Sequence, residues 1–249
     1  METHHTAVTR TEEGRRRLST DDIAAWLAHL GATADERAAV LALVRDVGRS
    51  AWSAVGHAVP AQLSTLVRYE REAVAITEVN AVLIPGLLQT ENYVRAVMST
   101  GDIPDDGIED RVIYRMGRQS VLRRRAGAMT AIIDEGALTR QIGGHAVMAE
   151  QMTALLDWSN TGHVEVLIIP TSIGAHRGMA GGFMILDMPD GVVVHLEHLD
   201  SGVFLHEPAD TRSFVEAASS LQDVAMSPVD SARLIATYAD SHARNEASP

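Results

Sequence analysis

Three places in this chain combine residue types that could do chemistry. His195-x-Glu197, with His198 beside it, sets an imidazole and a carboxylate two residues apart. On a strand, whose side chains alternate, both point to one face, where they could begin a metal site. Only two ligands converge, since His198 points to the other face, so a cross-strand polar pair is expected and a metal site is not. Asp134-Glu135 places two carboxylates side by side, but a strand sends them to opposite faces. That excludes an acid–base pair and favours capping or salt bridging, with Arg140 or Arg118 as partner. The stretch from Thr171 to Gly182 is the most site-like. Gly174, Gly178, Gly181 and Gly182 surround His176 and Arg177, so a titratable group and a cation sit on a loop between two strands. His176 and Arg177 are the candidate ligand-binding residues, for an anion; the plainer expectation is a glycine-rich hairpin excursion with no ligand. Arg123-Arg124-Arg125 suits the negative end of a helix dipole. Ser120, Ser172 and the histidines form no nucleophile elbow or triad motif, so neither catalysis nor a cofactor is expected.

Two absences narrow the chemistry further. The 249 residues contain no Cys, which excludes disulfides, thiolate metal sites and cysteine catalysis. All 21 basic residues are Arg, which excludes a phosphate-loop lysine and a Schiff base. The net charge of −12 argues against non-specific nucleic-acid binding by the whole molecule. Residues 1–18 differ: four arginines against three glutamates give +1, which leaves −13 to the remainder. No apolar run approaches the ~20 residues of a membrane span and no signal peptide is visible, so a cytoplasmic protein is expected.

The elements that must position these residues can be read in outline. Ser19 or Thr20, followed by Asp21 and Asp22, starts a helix whose stripe is Ile23, Trp26, Leu27 and Leu30, and Gly31 ends it. Thr33 opens a second helix with Val40, Leu41, Leu43 and Val44 on its core face, and an irregular connector runs from Trp52 to Pro60. A third helix from Ala61 carries Leu63, Leu66, Val67 and Glu70. The apolar run Val82-Leu83-Ile84 stops at Pro85-Gly86, where proline removes a donor and glycine permits a positive φ. Thr90 then caps a helix from Glu91 to Met98 with Tyr93, Val94 and Val97 on one face, and another runs from Ile108 to Arg125. After Gly127 the period shortens: Thr130–Asp134, Val164–Ile169, Phe183–Asp187, Val192–Glu197 and Val203–His206 read as strands. Helices follow at Val147–Trp158, Thr211–Ala225 and Val229–Asp240. The fold class is α+β: N-terminal helices, then a mixed β-sheet domain with flanking helices. The organisation is 1–50, 51–240, and a disordered tail at 241–249.

An ordered series of motifs carries a resemblance. Pro85-Gly-Leu-Leu-Gln-Thr-x-x-Tyr93 is followed by Arg115-x-x-Arg118-Gln119-x-x-Leu122, Asp134-Glu135-x-x-Leu138, Gly143-Gly144, Gln151-x-x-x-Leu155-Leu156, Val166-x-x-Ile169-Pro170, Gly182-Phe183, Glu197 and Ser227-x-x-x-Ser231. From about Trp52 to Tyr238 the chain resembles the effector domain that follows a helix-turn-helix in antitoxin-like actinobacterial regulators of the WhiJ type. Ahead of it, Val8-Thr9-Arg10-x-Glu12-x-Gly14-Arg15-Arg16 looks like the end of an XRE-type helix-turn-helix. The resemblance implies Thr9 and Arg10 near phosphates or base edges, and Arg15 and Arg16 on the DNA backbone. It also implies a transcriptional regulator that binds DNA in its intact form and a small partner protein encoded nearby; a homodimer is left open. The two helices that precede the recognition helix in an intact module are not present before Thr9, so residues 1–50 are expected to be a partial module. The alternatives are a partner- or ligand-binding protein without DNA contact and, third, an enzyme using the glycine-rich loop.

Overall fold

The computed structural model describes residues 20–33, 36–37, 59–100, 105–124, 127–198 and 201–246. Contacts divide the chain into two compact units, Met1–Ala54 and Val55–Pro249.

The described part of the first unit is a helix, α1 (Thr20–His29). Gly31 takes a left-handed φ of 75° behind it. The Ala32 amide then reaches back to the Leu27 carbonyl at 3.0 Å, which closes the helix end. Leu30, expected in the apolar stripe, lies beyond the helix and is 77% exposed. Thr33 and Glu36 form a reciprocal capping box: the Thr33 amide donates to Glu36 Oε2 at 2.8 Å, and the Glu36 amide donates to Thr33 Oγ1 at 3.3 Å. The rest of that expected second helix, with Val40 to Val44, lies outside the described residues.

The second unit is an α+β domain. Helix α2 (Val59–Glu72) leads into strand β1 (Ala75–Asn80). Helices α3 (Glu91–Met98) and α4 (Asp105–Arg118) follow, the latter continuing as a 3₁₀ segment to Arg124. Then come β2 (Met129–Asp134), the short α5 (Gly136–Thr139), α6 (His145–Asn160) and β3 (Val164–Ile169). Strands β4 (Phe183–Met188), β5 (Gly191–His198) and β6 (Ser201–Leu205) precede helices α7 (Pro208–Val224) and α8 (Pro228–Glu246). The six strands form one sheet in the order β3-β2-β1-β4-β5-β6. β1, β2 and β3 are parallel neighbours; β4, β5 and β6 join antiparallel.

β1 corrects the expectation that strands begin only after Gly127. It lies at the middle of the sheet, pairing with β2 on one side and β4 on the other. Its face towards α2 carries Ile76 and Glu78, so the apolar/polar alternation that marks a strand is broken by a carboxylate on the covered side.

Helices cover both faces. On one, Leu66, Tyr93, Leu122, Met148, Met152, Leu155 and Ile235 meet Ile76, Ala131, Ile133, Val166, Ile168 and Met184. On the other, Ala217, Ala218 and Leu221 of α7 meet Val79, Ile132, Leu167, Ile169, Ile185 and Val194. An edge strand exposes unpaired backbone groups. On β3 they are closed at Ile168, whose amide donates to Ser231 Oγ at 2.9 Å and whose carbonyl accepts from the Met226 amide at 2.8 Å.

The tail expected from residue 241 is helical through Glu246. His242 is buried, and its Nε2 is 3.2 Å from the Leu138 carbonyl while its Nδ1 is 3.0 Å from His145 Nδ1. These contacts anchor the last turns of α8. No described helix is long and apolar enough to cross a membrane.

Candidate functional site

The Pro85–Tyr93 segment is a connector whose backbone groups are taken up by side chains from elsewhere. Pro85 enters a 3₁₀ turn, Gly86–Leu88, that buries Leu87 and Leu88 completely. Gly86 does not use the positive φ that its type permits. A buried turn leaves amides and carbonyls that must find partners. Gln89 Nε2 donates to the Ile84 carbonyl at 2.7 Å, and the Ile84 amide donates to the Tyr93 hydroxyl at 3.2 Å. From α6, Gln151 donates to the Leu88 carbonyl at 2.8 Å and accepts from the Thr90 amide at 2.7 Å. From the end of α4, Arg115 Nη1 donates to Gln89 Oε1 at 2.8 Å and Gln119 to the Gln89 carbonyl at 2.6 Å. Thr90 caps α3 as expected, its Oγ1 accepting from the Tyr93 amide at 3.3 Å.

Beneath this turn lies a cluster of ionisable groups. Arg118 makes a two-pronged ion pair with Glu70 of α2, at 2.5 and 3.1 Å, with the Glu70 side chain fully buried. Burial weakens the guanidinium's hold on its proton, but the Glu70 charge and hydrogen bonds outweigh it and raise the Arg118 pKa. Glu78 of β1 is the third member, 8% exposed. Its Oε1 accepts from the Asn80 amide group at 2.8 Å, while Oε2 is buried without a hydrogen-bond partner. Burial pushes its carboxyl up to about 7, against the pull of Arg118 and the Asn80 bond. Arg115 is half-buried; burial and the Arg118 charge lower its pKa, while Glu197, Glu78 and Glu70 oppose the drop.

His195 and Glu197 share the face of β5 that points to this cluster, as the period of two requires. His195 is buried and stacks on Phe204, its partner across β6, with ring centroids 4.6 Å apart. The cross-strand neighbour is thus aromatic and the expected polar pair is absent. Burial lowers the His195 pKa, with Glu197 opposing and Arg118 adding to the shift. Such desolvated, mutually coupled groups mark candidate functional sites.

The second concentration of polar groups lies at the carboxyl-terminal ends of the parallel strands. Asp134 Oδ1 accepts from the Gly136 amide at 2.6 Å and Oδ2 lies 2.8 Å from His176 Nε2. Glu135 accepts from the Thr171 amide at 2.8 Å, from Thr171 Oγ1 at 3.0 Å and from the Tyr238 hydroxyl at 2.7 Å. Neither carboxylate pairs with Arg140 or Arg118, the expected partners. Both instead fasten the Thr171–Gly182 segment, which is a crossover and not a hairpin: β3 and β4 are separated in the sheet by β2 and β1.

The two candidate ligand-binding residues part company here. His176 turns inward, with Nδ1 buried and unpartnered. Arg177 is exposed and donates to the Ser213 carbonyl at 3.1 Å. A groove of about 360 Å³ lies at the opposite ends of β2 and β3, lined by Thr130, Ser159, Glu165 and Pro228 among others, away from both clusters. Thr9, Arg10, Arg15 and Arg16 lie outside the described residues.

Glu78 is the functional candidate that motif reading misses. The available signal was Ala75-Ile76-Thr77-Glu78-Val79-Asn80, a β-branched run carrying a carboxylate in register with Ile76.

The fold and clusters define an α+β domain organised around a buried turn and an ion-pair cluster, with helices on both sides of a mixed sheet. Residues 63–237 match the family described as Domain of unknown function (DUF5753), and the chain belongs to that family. No curated protein and no solved structure matches the chain.

Proposed function

We propose that the chain is a transcriptional regulator of the XRE/WhiJ-like type, with the DUF5753 domain as its effector module. In this reading Thr9 and Arg10 contact phosphates or base edges and Arg15 and Arg16 the DNA backbone. The effector domain binds a ligand or a small partner protein encoded nearby, and that binding biases the DNA-binding helices. The observation that carries it is the division of the chain: a separate unit ends at Ala54, ahead of the family domain at 63–237. The net-basic residues 1–18 fall in that unit, within a chain of net charge −12. The reading assigns no catalysis; Asp134, Glu135 and His176 are engaged in holding the crossover.

A second reading, partner or ligand binding without DNA contact, is favoured by the overall acidic charge. Fluorescence anisotropy with duplex DNA from the chain's own upstream region separates the two. The regulator reading expects retention that weakens steeply as salt rises, and a further loss in an Arg10→Ala, Arg15→Ala, Arg16→Ala variant. Absence of salt-sensitive retention overturns it in favour of the second reading.

A further inference from the structure

We propose that Glu78 is the proton-binding element of a pH-responsive joint, protonated while α2 is seated on the sheet and loosening α2 when it ionises. The inference does not depend on whether the chain contacts DNA.

Among the described residues Glu78 forms no ion pair of its own. In the sheet it stands in a row, Ala131–Glu78–Met184–His195–Phe204, set by the pairings of β2, β1, β4, β5 and β6. Its immediate neighbours in that row, Ala131 and Met184, offer no donor. From α2 it faces Glu70, whose charge is already matched by both prongs of Arg118. From α4 it faces Arg118 and Arg115, and from β5 it faces Glu197. On its own strand, Asn80 supplies one neutral amide to Oε1 and nothing reaches Oε2.

The site suits Glu78 as the neutral acid, since Asn80 alone bonds to it. Arg118 is taken up by Glu70 and Arg115 donates to Gln89, while Glu197 is exposed to solvent and burial reduces the proton affinity of His195. Ionisation releases the proton to solvent and leaves a buried carboxylate with no guanidinium bonded to it and an acceptor oxygen that has no donor. A buried unpaired charge is strongly unfavourable, and the relief available is entry of water. α2 is the lid over this spot: its own Leu66 and Glu70 are buried, and its Tyr69 rests on Phe204 with ring centroids 5.2 Å apart. It is also the first helix after the boundary at Ala54, so a change in its seating acts where the chain enters the domain. The burial that raises the Glu78 carboxyl to about 7 puts the transition near neutral pH.

The test uses the full chain and its Glu78→Gln variant, with amide hydrogen exchange followed between pH 6 and 8 and corrected for intrinsic rates. The unmodified chain should lose about tenfold protection in residues 59–72 over that range, as linkage to one proton at neutral pH requires. Protection in the variant should stay flat. An equal loss in both proteins overturns the proposal. If the variant does not fold, the ¹³C carboxyl titration of Glu78 in the unmodified chain decides. A midpoint near neutral supports the device, and one in the ordinary carboxylate range overturns it.

Discussion

Glu78 and Glu135 lie at the same end of neighbouring parallel strands, yet their surroundings push them in opposite directions. Glu135, just past β2, is partly exposed and accepts three hydrogen bonds, two from Thr171 and one from Tyr238. Burial pushes its carboxyl up, but those three donors outweigh it and hold the pKa below the ordinary value. Glu78, two residues before the end of β1, is buried under α2 with a single amide donor, and desolvation wins. Donor count and water access, more than proximity to arginine, decide the direction. Glu78 has two guanidiniums in its field and still rises; Glu135 is lowered by neutral donors alone. The rim holds a crossover in place, whereas the buried cluster holds an acceptor oxygen without a donor.

The comparison breaks most sharply at Arg118. Arg118→Met strips Glu70 of its one ion-pair partner among the described residues and leaves two buried carboxylates, Glu70 and Glu78, without Arg118. Urea unfolding should show a loss of about 3–5 kcal/mol, the cost of orphaning a buried charge. A loss no larger than that of an exposed pair would mean that water reaches the cluster.

The rim carries the next effect, with the opposite pH sign. Glu135→Gln should lose about 1–2 kcal/mol at pH 7, where the ionised carboxylate receives its donors. A lowered pKa gives stabilisation that is present above the unfolded value of 4.5 and fades as pH falls through the folded one. The deficit of the variant should therefore shrink in acid. Glu78 behaves inversely: its contribution is complete below 4.5 and is lost as pH rises through about 7. Denaturation curves of both variants from pH 4 to 8 should diverge in these two directions, and parallel curves would erase the distinction.

The smallest effect is expected at Gly86. A Cβ there would lie 3.9 Å from Arg115 Nη1 and 4.0 Å from Arg118 Nη1, ordinary contact distances. Gly86→Ala should shift stability by less than about 0.5 kcal/mol, within the range of substitutions that break no packing. A large loss would show that the guanidiniums above the cluster cannot yield.

Much of the scaffold was legible because its signals are local. The Thr90 cap and the buried face of α3 follow from spacing alone, as do the helix through Gln151 and five of the six strands. β1 was not legible. Glu78 occupies the position where alternation demands an apolar side chain. The crossover at Thr171–Gly182 read as a hairpin because sequence adjacency suggested that β3 and β4 pair. Only the sheet order places two strands between them. His176 and Arg177 read as one site because they are neighbours, and a turn starting between them sends one inward and the other out.

By itself, then, the sequence determined the α+β class and most element positions. These rest on interactions within a few residues, or on composition, which any window of chain displays. Tertiary structure alone decided what those elements do for one another. Gln89, Arg115, Gln119 and Gln151 converge on one turn from segments up to 63 residues apart. Glu78 acquires its proton affinity from helices and strands that meet only in the folded state. Desolvation and field depend on everything packed around a group, and no stretch of sequence contains that list.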